Sequence, residues 1–297
     1  MQISTSQFYA TNQRNMQSLT ATADKLQTQI STGKRINDPS DDAVGYRRLQ
    51  GLTREASNDA AYSGNITIVS SALDQADTAL KSITDEIQSA KELAVKANGG
   101  TLSASDRTVI AGQLDAIVQN IATLANAKDS RGASIFASGD SPAVTINPGG
   151  GISYATSGPT AVPIGASSSA VPGEAASRLF VDANGNDILS SITGLAQALR
   201  GTGDVSSLAG SVGDQLTASN DQVAGVQGAL GARAQRVDIE SQRMQDVAVD
   251  REATRKDIED TDIPQTVTDL QKTMTILSAT QASFTKLASL SLFDYLK

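Results

Sequence analysis

Apolar residues recur at alternating steps of three and four along most of this chain, the spacing that lays one stripe down one face of a helix. The first stripe is Tyr9, Asn12, Met16, Leu19, Ala23, Leu26 and Ile30. Its other faces carry Gln, Thr and Asn with Arg14, Asp24 and Lys25. A helix this polar is marginal alone in water and needs a partner. A second stripe runs through Ile66, Val69, Leu73, Ala76, Leu80, Ile83, Ile87, Ala90, Ala94 and Ala97 without a break. It spans roughly 47 Å at about 1.5 Å per residue. Asn98-Gly99-Gly100 ends that helix. Ser103 or Ser105 caps a return helix through Ile110, Leu114, Ile117, Ile121 and Leu124, so two antiparallel helices follow.

The pattern breaks near Gly132. Ala133–Ala137 is expected as a strand, followed by short alternations at Val144–Ile146, Ile152–Tyr154 and Leu179–Val181. Gly149-Gly150-Gly151 and Asn184-Gly185 are turn signals between them. Ser167–Ala170 carries no usable pattern. Helix returns with Ile188, Ile192, Leu195 and Leu199, and Gly201-Thr-Gly203 stops it. A second long helix starts near Val205, its stripe of Leu230, Ala234, Val237, Ser241, Met244, Ala248 and Arg251 growing steadily more polar. Pro264 then marks a new helix start, because proline is tolerated only in a first turn. The final stripe is Ile263, Val267, Leu270, Met274, Leu277, Gln281, Phe284, Ala288 and Ser291, widened by Ile276, Leu287 and Leu290. It mirrors the first, and the simplest closure pairs residues 1–33 with residues 263–296.

The stretch Ile30–Gly45 separates the first two helices. Gly33 tolerates positive φ and acts as a helix stop. Asp38-Pro39-Ser40 is turn chemistry. Ser40, Asp41 and Asp42 offer oxygens to the free N–H groups of the next helix.

Composition narrows the function. Aromatics make up 3% of the 297 residues and Trp is absent, so Leu, Ile, Val and Ala must fill the core, which suits helix packing. Cys and His are both absent. That removes disulfides, thiolate nucleophiles, Cys/His metal sites and His general bases together. A net charge of −8 argues against a general nucleic-acid binder. No apolar run reaches the roughly 20 residues that span a bilayer, and the first residues lack the regions of a cleaved signal peptide. Arg14, Lys25, Lys34 and Arg35 lie beside the first stripe, but it is too narrow and too rich in Thr and Gln for a membrane-active helix.

Ser31-Thr-Gly-Lys-Arg-Ile-Asn37 with Pro39-Ser-Asp-Asp42 resembles the N-terminal motif of the bacterial flagellin family. Glu92-Leu-Ala-Val95, Ala97-Asn-Gly99, Ser105-Asp-Arg107 and Leu230-Gly-Ala-Arg233 are similar to its core helices. Met1–Tyr9, Arg131–Ala137 and Leu290–Leu296 resemble the hook–filament junction branch, the hook-associated proteins. Ala43-Val44 departs from the family pattern, as does Pro264 within the final helical region.

The resemblance implies a mainly α fold: an elongated helical bundle or coiled coil built from both chain ends, with a small β-rich inserted outer domain. The expected domains are an inner terminal helical domain (1–38 and 262–297), a rod-like helical core (39–137 and 188–261) and an outer insertion (138–187). The implied function is an axial structural component of the flagellum, a junction adaptor between hook-associated protein 1 and the flagellin filament. The implied partners are further copies in a ring, hook-associated protein 1, flagellin and an export chaperone on the C-terminal region, with no nucleic acid and no membrane. The implied location is extracellular, reached through the flagellar type III channel without a cleaved leader.

The residues expected to carry assembly are Met16, Leu19, Leu26, Ile30, Val267, Leu270, Leu277, Phe284 and Leu287. Those of the joint are Gly33, Arg35, Asn37, Pro39, Ser40, Asp41 and Asp42. No catalytic, cofactor-binding or metal residue is expected. A filament-forming flagellin is the nearest alternative. A secreted carboxylate enzyme or metal-binding protein would have to use Asp38, Asp41 and Asp42, or Glu259, Asp260 and Asp262. Neither cluster matches an EF-hand loop, nothing supplies a sugar platform, and helix caps and solvated helix ends account for both.

Overall fold

The computed structural model describes residues 2–99, 102–147 and 151–294, with side chains described within 7–286 of that range. The chain is mainly α, with long helices from both ends and a few short strands. The elements in order are α1 (Gln2–Thr32), α2 (Ala43–Asn98), α3 (Ala104–Ala125), β1 (Val144–Ile146), β2 (Ile152–Tyr154), β3 (Val162–Pro163) and β4 (Ser169–Ala170), then α4 (Ser177–Phe180), α5 (Ile188–Arg200), α6 (Ser206–Glu259) and α7 (Ile263–Asp294). Two compact units divide the chain: residues 58–246, and residues 1–57 with 247–297.

In the unit of residues 58–246, every member of the Ile66–Ala97 stripe is buried, as its unbroken alternation requires. Ile110, Leu114, Ile117 and Ile121 of α3 and Ile188, Ile192, Leu195 and Leu199 of α5 join the same core, and these two helices pack on each other. From α6 come Leu230, Val237 and Met244, preceded by Val212, Leu216, Val223 and Val226. Ser103 is the residue that caps α3, accepting the Asp106 N–H while the Asp106 carboxylate takes the Ser103 N–H, a reciprocal capping box.

Arginines close the ends of several elements. Arg107 donates to the carbonyls of Ala198, Leu199 and Gly203, satisfying the C-terminus of α5. Arg233 donates to the Gly173 carbonyl and to Glu174. Both arginines lie in the segments that resemble flagellin, and both hold backbone in place.

The insertion is two small antiparallel hairpins. Val144 pairs with Tyr154 and Ile146 with Ile152 in one, and Val162 with Ala170 in the other. Gly149 and Gly150, expected in the turn of the first, lie outside the described residues. Two expected strands take other forms. Ala133–Ala137 makes only a bridge from Ser134 to Lys128. Its consecutive residues Ile135, Phe136 and Ala137 are all buried, so there is no alternation for a strand to present. Leu179–Val181 is divided: Leu179 and Phe180 are buried in the single turn of α4, and Val181 bridges Asp187 around the Asn184-Gly185 turn. So short an apolar run does not distinguish a period of two from one of 3.6.

Candidate assembly site at the two chain ends

Residues 1–57 and 247–297 bring the two chain ends together. Helix α1 packs along α7, and near its far end the Tyr9 and Phe284 rings meet edge to face, centroids 5.4 Å apart. The remaining stripe residues Met16, Leu19, Leu26 and Ile30 of α1 and Val267, Leu270, Leu277 and Phe284 of α7 are only half-buried. Among the described residues of this helix pair, those buried are Ala23, Gln29 and Thr266. Met274 and Ile276 are about half exposed, at 51% and 53%, and Phe8 at 44%. The Leu287 side chain lies outside the described residues. Pairing thus leaves these stripe residues partly exposed.

The joint is built by its own polar groups. Gly33 ends α1 at a φ of +73°, the left-handed region that glycine adopts without strain. The Asp41 N–H donates to the Asp38 carbonyl at 3.0 Å, closing a turn with Pro39 at its second position. Pro39 and Ser40 are exposed. Asp41 reaches back into the loop and accepts the Asn37 and Asp38 N–H groups, each at 3.0 Å. It also meets Lys25 at 2.9 Å. The Lys25 bond, followed by those backbone N–H groups, draws its carboxyl from the usual 3.8 down to about 2. Asp42 is the cap of α2: its Oδ1 accepts from Gly45 N at 2.8 Å and Val44 N at 3.1 Å. Its carboxyl is lowered first by the Gly45 N–H, then by the Val44 N–H and Arg35. The Asn37 amide donates to the Lys34 carbonyl.

The loop between α6 and α7 is laid against this joint. Arg35 N donates to the Glu259 carbonyl at 2.6 Å, and Thr261 N to the Gly33 carbonyl at 3.0 Å. The Arg35 guanidinium reaches the Ile258 carbonyl at 2.9 Å, and Gln29 holds the loop from within, its amide donating to the Arg35 carbonyl at 2.9 Å. Ile36 is buried beneath. Asp262 caps α7 through Gln265 N at 3.0 Å, with Pro264 in the first turn.

One acidic residue departs from the expectation of a solvated helix end. Glu259 is buried, 7% exposed, and its carboxylate pairs with Lys34 and Arg255. Glu259 stands in sequence with Asp260 and Asp262 as one acidic cluster, while its partner Lys34 lies near the other end of the chain. Arg255, one turn before Glu259 on the same helix, was the available signal. Among the described residues no group of acidic side chains is arranged to hold a metal ion, and no helix is long and apolar enough to cross a membrane.

Residues 3–140 match the family model of the bacterial flagellin N-terminal helical region. The flagellar hook-associated protein 3 of Salmonella typhimurium is 34% identical over 137 residues, 46% of this chain and 43% of that protein. Its Escherichia coli counterpart is 32% identical over a match of the same extent. The chain therefore spans less than half the length of these relatives in the match. Among solved structures, a flagellar hook-associated protein from Vibrio parahaemolyticus superposes with a TM-score of 0.68 at 19% identity, covering 74% of this chain and 100% of that one. Flagellar hook-associated protein 3 from Legionella pneumophila gives 0.63 at 14% identity, covering 71% and 98%. At such identities the likeness is one of fold. A flagellin-type N-terminal helical region and the fold of the solved hook-associated proteins are thus combined in one chain, which resembles flagellar hook-associated protein 3 of the bacterial flagellin superfamily.

Proposed function

We propose that this chain is a structural component of the bacterial flagellum that joins hook-associated protein 1 to the flagellin filament. The observation that carries the proposal is the half-buried double stripe on α1 and α7. A buried aliphatic or aromatic side chain contributes about 1.5–3 kcal/mol relative to an exposed one. Each partly covered stripe residue therefore retains up to roughly 1 kcal/mol that a neighbouring subunit can supply. Met16, Leu19, Leu26, Ile30, Val267, Leu270, Leu277, Phe284 and Leu287 are the residues assigned to that burial, with further copies of the chain as the neighbours in a ring. Coupling their burial to assembly stabilises the terminal helices by mass action.

The joint residues Gly33, Arg35, Asn37, Pro39, Ser40, Asp41 and Asp42 hold the helix pair in place for this. In this reading residues 1–38 and 262–297 form the terminal part, 39–137 and 188–261 the helical core, and 138–187 the insertion. The protein works outside the cell, leaves by the flagellar type III route and is met by an export chaperone at its C-terminal region beforehand. It performs no catalysis and takes no cofactor.

The test is deletion of the gene in its host, followed by electron microscopy. The expected result is hooks without filaments, flagellin free in the medium, and rescue by the chain. A chain lacking residues 263–297 should fold in residues 58–246 and fail to rescue. Normal filaments in the deletion strain would refute the junction role, and loss of one filament type alone would favour a filament flagellin.

A further inference from the structure

We infer that Glu259 is a positioning residue that sets the register of α7 on α1, and that its pairing with Lys34 and Arg255 is the device. This rests on the assembly role proposed for those helices. The carboxylate is buried, its side chain 9% exposed, while the Lys34 side chain is 46% exposed. Lys34 belongs to the joint after α1 and Arg255 to α6, one turn before Glu259. The same place carries the backbone bridge between Lys34 and Asp260 and the bond from Thr261 N to the Gly33 carbonyl. Gly33 directly follows α1, and Ile263 opens α7 just after Thr261 and Asp262. Whatever fixes these two loops against each other also fixes where the two stripes start to run side by side.

A carboxylate in this position tolerates one alignment. A slip of one helical turn, about 5.4 Å, carries Glu259 away from Lys34 and leaves the buried carboxylate only Arg255 of its own helix, which is unfavourable. The stripes themselves do not exclude such a slip. Their half-buried residues repeat at three and four, so a displaced pairing again places apolar groups together. Apolar burial therefore supplies attraction between α1 and α7, and the polar contacts between the two loops, the buried ion group among them, supply the choice among alignments. The far end offers a reporter, because the Tyr9 and Phe284 rings meet there in the observed alignment.

The chain contains no cysteine, so introduced pairs react without background. In the full chain, cysteines at 9 and 284 report the observed register, and cysteines at 9 and 281 report a displacement of one turn. A short bifunctional thiol reagent is then applied to each pair with and without E259Q, K34E or the conservative K34R. The parent should couple 9 to 284 on the order of tenfold faster than 9 to 281, and E259Q or K34E should bring the two rates within about twofold, as expected when a buried pair loses one member. K34R, which keeps the positive charge, should keep most of the preference. A variant acting only through general stability would slow both reactions together. An unchanged preference in E259Q, or a preference lost in K34R as fully as in K34E, would overturn the inference.

The same substitutions without cysteines are then tested for filament rescue in the deletion strain. Full rescue by a variant that has lost its register preference would also overturn it. If the parent chain itself fails to rescue, the junction role falls and the register measurement still decides the role of Glu259.

Discussion

Replacing Gly45 by alanine probes the packing of the joint with a single methyl group. Gly45 lies in the first turn of α2 and is buried. A Cβ on it would stand 2.6 Å from Asp42 Oδ2 and 2.6 Å from Ile36 Cδ1, well inside van der Waals contact. Both neighbours would have to move. Moving Asp42 gives up the cap bonds to Val44 N and Gly45 N, a loss of about 1 kcal/mol. Moving Ile36, which is 3% exposed, overpacks the loop at about 1–3 kcal/mol. Against this, alanine is favoured over glycine within a helix by about 1 kcal/mol. The expected net effect is a destabilisation of about 1–3 kcal/mol.

Gly51→Ala is the matched control. It lies further along the same helix with no atom within 4 Å of its would-be Cβ, so it should stabilise by up to about 1 kcal/mol. Urea denaturation of the full chain gives the two values, and amide hydrogen exchange across residues 33–45 localises them. The same substitution in one helix should thus differ in sign at the two positions. Equal effects, or a stabilising Gly45→Ala, would refute the packing described here.

Asp42→Ala should cost about 1 kcal/mol in urea denaturation while Asp42→Asn retains most of the cap. Because the Asp41 carboxyl is lowered from 3.8 to about 2, its contribution is present above the usual carboxylate range and is lost as pH falls from about 5 towards 2. The full difference corresponds to about 2.5 kcal/mol at ~1.4 kcal/mol per pH unit. Since Lys25 is half in solvent, about 1 kcal/mol is expected, and Asp41→Asn should remove that part of the acid sensitivity in denaturation midpoints at pH 7, 5 and 3. Leu80→Ala, at a fully buried position, should cost about 2–5 kcal/mol. Leu277→Ala, at a half-buried one, should cost about 1 kcal/mol in the isolated chain and yet lower the filament count in a rescued deletion strain.

The long elements were legible because their signal repeats. Ten stripe positions from Ile66 to Ala97 keep one alternation, and all are buried. The ends of helices were legible where chemistry is local: Gly33 at positive φ and Pro264 in a first turn, while of Ser40, Asp41 and Asp42, all three offered as caps, the structure uses Asp42. Short elements were not. Ala133–Ala137 and Leu179–Val181 hold too few residues to define a period, and burial from distant segments decided their form. Ser103 and Ser105 offered the same hydroxyl, and only Ser103 has an acid three residues later to close the capping box. Glu259 was hidden for a different reason. Its partner Lys34 lies in the joint after α1, at the other end of the chain, and no local window contains both. The same holds for Arg107 and the carbonyls of Ala198 and Leu199.

The seam of α2 has a calorimetric consequence. Ala72, Ala76, Ala79, Ala90, Ala94 and Ala97 all sit inside it, and the whole chain is only 3% aromatic. Alanine has no side-chain rotamers to freeze on folding, and it hides little apolar surface. Heat capacity on unfolding scales with the apolar surface exposed. The increment for this chain should therefore fall below the usual value of about 12–15 cal/mol/K per residue. Its stability should accordingly change gently with temperature, a flat-topped curve in place of a sharply arched one.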